Sequence, residues 1–206
     1  SERYAIISKI PAGGSWGDNG NHSPSTQEYT ATTVKAERTA LSDFGHYIIG
    51  KGVTSLYNQP TITEELYIKG ASLTVKGTES LQVQGPNAAL NNNTGELLVQ
   101  ASSEVIVAGP LNNLASSKLS VDGTIRLTGH FVNNGTTDLS LGDLTNQGLV
   151  LFEGTQEQHI EGTTTSIFEN LTVNNSNNLK TSGTDAEVSN LLTFTAGKIT
   201  TNGQRI

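Results

Sequence analysis

The chain lacks several residue types on which many folds and active sites depend. Its 206 residues include no cysteine and no methionine. Without cysteine there is no disulfide framework and no thiolate metal site, so stability has to come from packed secondary structure. Aromatic residues make up only 5% and charged residues only 15% of the chain. A globular α/β enzyme usually carries more of both.

Long apolar runs and excess positive charge are missing as well. No run approaches the roughly 18 apolar residues of a membrane-spanning helix, which predicts no membrane span. The formal net charge is −7, and no basic stripe is available to neutralise phosphates, so we expect no nucleic-acid partner. The chain begins with Ser1, without an apolar signal-peptide core, and its repeat pattern stops abruptly. We therefore expect a processed piece of a longer protein.

Short runs of alternating apolar and polar residues fill most of the sequence. Ile125 with Leu127 and Leu171 with Val173 are examples, and such runs are bounded by Gly135, by Asn174 or by similar residues. A period of two is typical of half-buried strands, and Gly and Asn supply the positive φ of tight corners. No window shows the three-four spacing of a helix, so the pattern predicts an all-β protein.

Two series of apolar pairs also recur at a longer period. The first members of one series are 24, 22 and 20 residues apart, at Leu73, Leu97, Leu119 and Leu139. Those of the other are 24, 20 and 24 residues apart, at Leu81, Val105, Ile125 and Leu149. Such intervals signal solenoids, in which stacked coils bury a common core. They favour a parallel β-helix over an antiparallel sandwich, which also has short strands.

The first 50 residues do not share this pattern. Residues 4–10, 29–34 and 44–50 read as three strands that could form a small sheet against the first coil. We therefore divide the chain into a small β-rich segment, residues 1–52, and a parallel β-helix, residues 53–206, cut at its C-terminal end. A solenoid cut there would expose its last coil as an open edge.

Several stretches carry a resemblance to a known group of proteins. Residues 40–50 (ALSDFGHYIIG) resemble the closing strand of β-sandwich modules in large surface proteins of Bacteroidetes. Residues 148–155 (GLVLFEGT), 158–162 (QHIEG), 168–175 (FENLTVNN) and 191–201 (LLTFTAGKITT) resemble the β-helical parts of secreted adhesin-like proteins of those bacteria. Many of these use type IX secretion, and gliding-motility adhesins are among them. The resemblance implies an extracellular or cell-surface, outer-membrane-associated location. It also implies flanking domains and secretion or anchoring machinery as partners.

The same stretches predict where side chains point. We expect Leu171 and Val173 inside, and a set of asparagines placed for amide stacking between coils. That set comprises Asn170, Asn174, Asn175, Asn177 and Asn178. Phe152, Phe168 and Phe194 are expected in the coil interior, where aromatic pairs add to burial.

Because β-helices also host carbohydrate-active enzymes, the carboxylates need attention. Glycoside hydrolysis requires two of them about 5–10 Å apart across a groove. The candidates are Asp122, Asp138, Asp143, Glu153, Glu157 and Glu161. We interpret the first three as turn or corner residues, the glutamates as a solvated patch, and Arg126 as outward-facing. No polygalacturonase-like motif occurs, so we predict no enzyme and no catalytic residue.

Metal and ligand sites have few candidates. His22, His46, His130 and His159 show no zinc spacing, and no calcium loop occurs, so we predict no metal and no cofactor. Sugar platforms normally use exposed aromatics, which leaves Trp16, Tyr57 and Tyr67 as candidate ligand-binding residues. The favoured function is a non-enzymatic extracellular structural or adhesive module, the stiff shaft of a large cell-surface protein. The alternative is a carbohydrate-active or carbohydrate-binding β-helix protein.

Overall fold

The structure is a computed structural model, and every regular element among the residues that it describes is a β-strand. It describes residues 6–10, 26–29, 34–37, 43–50, 53–56, 61–69, 72–75, 78, 80–138 and 148–206. Among these, side chains are described from residue 65 onwards, except those of Lys69 and Asp138. In chain order the strands are β1 (Ile6–Ile10), β2 (Thr26–Tyr29), β3 (Val34–Glu37), β4 (Asp43–Gly50), β5 (Val53–Leu56), β6 (Thr61–Lys69), β7 (Ser72–Val75), β8 (Ser80–Val83), β9 (Ala89–Asn93), β10 (Glu96–Val99), β11 (Glu104–Val107), β12 (Leu111–Asn113), β13 (Lys118–Val121), β14 (Thr124–Leu127), β15 (Phe131–Asn133), β16 (Thr136–Asp138), β17 (Leu149–Phe152), β18 (Gln158–Gly162), β19 (Ser166–Asn174), β20 (Leu179–Ser182), β21 (Ala186–Ala196) and β22 (Ile199–Thr201).

The strands from β5 onwards wind into a parallel β-solenoid of about six coils with three faces. The first face stacks β8, β11, β14, β17 and the later parts of β19 and β21. The second stacks β9, β12, β15, β18, β20 and β22, and the third stacks β5, β7, β10, β13 and β16. Strand β6 spans two faces, pairing with β8 through Thr61 and with β9 through Glu65. The predicted β-helix is confirmed, and the antiparallel sandwich is excluded for this part of the chain.

The predicted columns of apolar residues are confirmed for three coils and wrong for the fourth. Leu73, Leu97 and Leu119 align, as do Leu81, Val105 and Ile125. Opposite Leu119, however, lies Thr137 rather than Leu139, which falls outside the described residues.

The fourth member of the second column is off by one residue. Val150, not Leu149, aligns with Ile125, and Phe152, not Leu151, aligns with Leu127. The run Leu149–Phe152 is apolar on both faces, so its alternation cannot tell inside from outside. A slip of one residue exchanges the two faces of a strand.

The core fills the space between the three faces. Its largest side chains are Phe131, Phe152 and Phe168, with ring centroids 5.7 Å apart for Phe131–Phe168 and 6.5 Å for Phe152–Phe168. Leu171 and Val173 are fully buried, as predicted. The expectation for Phe194 is wrong, because 51% of this residue is exposed. It aligns with Val173, but no described strand lies beyond β21 on the first face.

Successive coils approach closely at their corners. A Cβ atom on Gly109 would lie 1.7 Å from the carbonyl oxygen of Ala88 in the previous coil. Gly162 has φ +128°, and a Cβ there would lie 2.0 Å from the carbonyl oxygen of Asn133. Glycine is therefore required at both corners for the coils to keep strand spacing.

Strand pairing in the N-terminal part is of two kinds. β4 pairs in parallel with β6, while β1 pairs antiparallel with β4 and β2 pairs antiparallel with β3. Tyr29 and Val34, which were expected in one strand, are partners in the β2–β3 pair. Parallel coil-to-coil pairing thus extends back to β4, within residues 1–52, and the division of the chain at residue 52 stays a prediction.

Candidate functional site

The outward side chains of the first face form a column that follows the solenoid axis. In register order they are Gln82, Ile106, Arg126, Leu151, Thr172 and Thr193. Because parallel strands align equivalent positions, side chains of successive coils lie next to each other in this column. The column mixes apolar, polar and charged side chains.

Arg126 joins three coils through an ion-pair cluster. Its Nε and Nη2 atoms donate to the two carboxylate oxygens of Glu153, each at 2.8 Å, and its Nη1 atom lies 3.6 Å from Glu104. The hydrogen bond to Glu153 is the main cause that raises the pKa of Arg126. Arg126 faces outward, as predicted. Glu153 is therefore engaged with a cation and is not a free carboxylate facing a groove.

A second polar cluster surrounds His159 on the second face. Its Nδ1 atom lies 2.8 Å from Glu161 and its Nε2 atom 3.0 Å from Glu157. The backbone N–H of His159 donates to Nδ1 of His130 at 3.0 Å, and the two ring centroids are 4.8 Å apart. Both glutamates thus contact one imidazole, and the arrangement links two coils through side chains.

The remaining predicted carboxylates are Asp122, Asp138 and Asp143. Asp122 lies half-buried at a corner, where its backbone N–H donates to the carbonyl of Val99, as expected for a turn residue. Asp138 ends β16, and Asp143 falls outside the described residues. Within the described side chains no group of three or more His, Cys, Asp or Glu residues is arranged to hold a metal ion.

Of the three candidate ligand-binding aromatics, Trp16 and Tyr57 fall outside the described residues. Tyr67 lies on β6, half-buried on the outer side of the second face and in register with Asn91. Partial burial is the main cause that raises its pKa, followed by the nearby charge of Glu65 and a hydrogen bond to it. A binding role for Tyr67 stays a prediction.

The most regular polar feature lies inside the solenoid, where the sequence analysis did not place one. Asn92, Asn113 and Asn133 align on the second face and are at most 1% exposed. The Nδ2 atom of Asn92 donates to Oδ1 of Asn113 at 3.0 Å, and that of Asn113 donates to Oδ1 of Asn133 at 2.9 Å. These residues form a buried amide ladder across three coils. The recurring Leu-Asn-Asn at residues 90–92 and 111–113 is the signal that could have located it.

Each ladder amide also bonds the backbone of the following coil. Asn92 donates to the carbonyl of Lys118 at 2.8 Å, and Asn113 donates to that of Thr136 at 2.9 Å. The Oδ1 atom of Asn92 is buried without a hydrogen-bond partner, since the residue aligned before it is Ile68. The ladder therefore starts at Asn92.

The predicted asparagine stacking is found for one pair. Asn190 donates to Oδ1 of Asn170 at 2.7 Å on the next coil. The others differ: Asn175 donates to Gln158 at 2.9 Å, Asn177 donates to the Thr155 carbonyl, and Oδ1 of Asn178 accepts from the backbone N–H of Lys198. Asn174 is exposed. The amides thus connect coils mostly by bonding backbone groups.

Gln158 is a buried connector that the sequence analysis missed. Its Nε2 atom donates to the carbonyls of Leu127 at 3.0 Å and Gly129 at 2.7 Å. Its Oε1 atom accepts from the N–H of Gly154 at 2.7 Å and from Asn175. One side chain therefore links three successive coils.

The described part of the chain is thus an all-β solenoid whose coils are joined by a shared core and by buried amides. Comparison with protein-family models, with curated proteins and with solved structures finds no match for this chain. Among the described residues there is no helix long and apolar enough to span a membrane.

Proposed function

We propose that this chain is a non-enzymatic, extracellular structural module, a stiff β-solenoid shaft in a large cell-surface, adhesin-like protein. One observation carries the proposal. Consecutive coils are joined by buried side-chain hydrogen bonds in addition to the backbone ladders, through the amide ladder and through Gln158. Bending or shearing the coils would break several of these bonds at once.

A solenoid of this kind acts through its geometry. Each added coil lengthens the shaft by about 4.8 Å, the spacing of hydrogen-bonded strands. Because every coil contacts only its neighbours, length grows with coil number while the cross-section stays constant. Such a spacer would hold a binding region away from the cell, and its partners would be the flanking domains and the secretion or anchoring machinery.

The proposed location is supported by the resemblance of residues 148–201 to the β-helical repeats of secreted surface proteins. The outer faces fit this role, since polar groups on them contact one another, as in the Arg126–Glu153 ion pair and the His159–Glu161 hydrogen bond. Export by a type IX system is part of the same proposal.

Stiffness can be measured by the distance between two spin labels. The chain has no native cysteine, so a Gln82→Cys/Thr193→Cys double variant is labelled only at those positions. They are five coil steps apart in one column, which corresponds to about 24 Å before the label linkers are added. We expect a single narrow distance distribution that becomes broad in concentrated urea. A broad distribution without urea would contradict the shaft.

The competing function, a carbohydrate-active or carbohydrate-binding protein, is tested separately. We expect no reducing ends to be released from a panel of acidic and neutral polysaccharides, and no retention on a glycan array. Hydrolysis that is lost in Glu153→Gln or Glu161→Gln would replace the proposed function with the enzyme. Glycan binding that is lost in Tyr67→Ala would replace it with a lectin-like role.

A further inference from the structure

Two Asn-Gly pairs in the described chain differ in their surroundings. In such a pair the backbone nitrogen of the glycine can attack the side-chain amide carbon of the asparagine, because no Cβ obstructs the approach. The attack requires the glycine N–H to be free and the local backbone to be mobile. The pairs are Asn134–Gly135, after β15, and Asn202–Gly203, after β22.

At Asn134–Gly135 every reacting group is held. The N–H of Gly135 donates to the carbonyl of Asn113 at 3.1 Å, and Gly135 itself is buried. The Oδ1 atom of Asn134 accepts from the N–H and from the hydroxyl of Thr163, each at 3.0 Å. A Cβ on Gly135 would lie 2.5 Å from the carbonyl oxygen of Ser117, which shows how little room the backbone has to move.

At Asn202–Gly203 the restraints are few. Both residues are exposed, Gly203 has φ +89°, and a Cβ on it would meet nothing within 4 Å. The N–H of Asn202 donates to Oε1 of Gln204 at 3.1 Å, but the described residues offer no hydrogen-bond partner to the N–H of Gly203 or to the amide of Asn202. This backbone can therefore reach the reactive geometry without opening a coil.

We propose that Asn202 is a site of spontaneous deamidation and that Asn134 is protected by the fold. The Gly203 nitrogen loses its proton to solvent and forms a bond to Cγ of Asn202. The bond from Cγ to the side-chain nitrogen breaks, and this nitrogen takes a proton from solvent and leaves as ammonia. Water then opens the five-membered succinimide to aspartate or isoaspartate. No oxidant or reductant is involved.

The product changes the second face beside β22. Either isomer adds one negative charge after β22, and isoaspartate also lengthens the backbone by one carbon. The N–H of Arg205 donates to Asp185 at 2.8 Å, and the carbonyl of Arg205 accepts from the N–H of Ala186 at 3.0 Å. Lengthening the chain three residues before Arg205 shifts these contacts out of register.

The test is peptide mapping by mass spectrometry after incubating the whole 206-residue chain at mildly alkaline pH. A third pair, Asn19–Gly20, lies outside the described residues. Every protein sample used in the test therefore carries the substitution Asn19→Gln. We expect Asn202 to deamidate at least about tenfold faster than Asn134, because reaction at Asn134 requires local opening. In concentrated urea the deamidation rates of Asn202 and Asn134 should converge, because the unfolded chain no longer restrains either residue.

Two variants complete the test. Gly203→Ala should suppress the reaction at Asn202, because a Cβ hinders the attack. Thr163→Val removes the hydroxyl that holds Asn134 and should speed the reaction at Asn134 only. Equal rates at the two sites in the folded chain, or faster reaction at Asn134, would overturn the proposal. So would the absence of any product at Asn202 under conditions in which the urea-unfolded chain reacts.

Discussion

Phe168 and Phe194 show how the same residue type acquires different roles in one solenoid. Phe168 is 1% exposed and lies edge-on to Phe131 and Phe152, whereas Phe194 is 51% exposed on β21. We expect Phe168→Ala to lower the free energy of unfolding by about 3–5 kcal/mol through the cavity it opens. Phe194→Ala, the matched control, should cost about 1 kcal/mol or less. Urea denaturation checks both, and equal losses would contradict the assigned burial.

The side chain of the buried Gln158 makes four hydrogen bonds, and replacing it removes all four at once. Gln158→Leu keeps the approximate volume but leaves the carbonyls of Leu127 and Gly129 without their side-chain donor. We expect a loss of about 3 kcal/mol in the free energy of unfolding. Gln156→Leu, at an exposed position of the same corner, should change stability by less than about 0.5 kcal/mol. A loss of similar size in both variants would argue against Gln158 as a connector.

Asp185 gives a residue-scale prediction for pH. Mainly because the backbone N–H of Arg205 donates to it, the pKa of Asp185 is lowered, with a further contribution from the guanidinium. A lowered pKa means that this carboxylate stabilises the fold above its unfolded pKa and that the contribution is lost as pH falls through the folded value. We expect an NMR titration of the Asp185 carboxyl to show the lowering. Arg205→Gln should retain much of it, since the backbone bond remains; complete reversal would assign the effect to the guanidinium.

At the scale of elements, the second face is held by side chains as well as by its short strands. β12 and β15 have only three residues each, so their backbone ladders are brief. The buried amide ladder adds hydrogen bonds in the direction in which these strands already pair. Polar groups inside the core are stabilising only when they are satisfied, and the middle amide, Asn113, is satisfied on both sides.

Asn113→Leu should therefore destabilise the stack. It removes the acceptor used by Asn92 and the donor to Asn133, and we expect a loss of about 2–3 kcal/mol. For a chain of this size that corresponds to a fall in melting temperature of roughly 5–10 °C. The neighbouring Asn112→Leu removes one hydrogen bond on the outside, from Asn112 to Asn91, and should lower the melting temperature much less. An Asn112 effect as large as that of Asn113 would count against the interior ladder.

At the scale of the whole molecule, the coil is the unit of stability. Deleting residues 109–128 removes one coil and brings Gly129, His130 and Phe131 to the positions of Gly109, Pro110 and Leu111. Because coils contact only their neighbours, we expect this variant to fold with a cooperative melt at lower temperature. Its denaturant m-value should fall by about a tenth, the share of residues removed.

The control for that deletion removes residues 109–118, about half a coil, and places second-face residues on the third face. We expect it to lose the cooperative melt in circular dichroism. If both deletions behave alike, coil-by-coil stacking does not govern the stability of this chain.

Much of the fold could be predicted because its signals are local. The alternation at Leu171 and Val173 can be read from adjacent residues. The recurrence of Leu97 and Leu119 at roughly 20 residues can be read from the sequence without knowing which coils pack together. The ion-pair cluster of Arg126 could not be predicted in the same way, because Glu153 lies on another coil and meets Arg126 only through coil alignment. The contact between His159 and Glu161 is local instead, since the two residues are two positions apart on β18 and share its outer face. The sequence could not show which residues of Leu149–Phe152 point inward, because this strand is apolar on both faces.

The sequence by itself determined that this protein is all-β, that its strands are short and that they recur as coils, since backbone alternation and turn residues act within a few positions. Only the tertiary structure decided which asparagines lie inside, which carboxylates are paired and which phenylalanine is exposed. The physical reason is that a side chain in a solenoid is buried by the coils on either side of it. Those neighbours lie about 20 residues away in sequence and about 4.8 Å away in space.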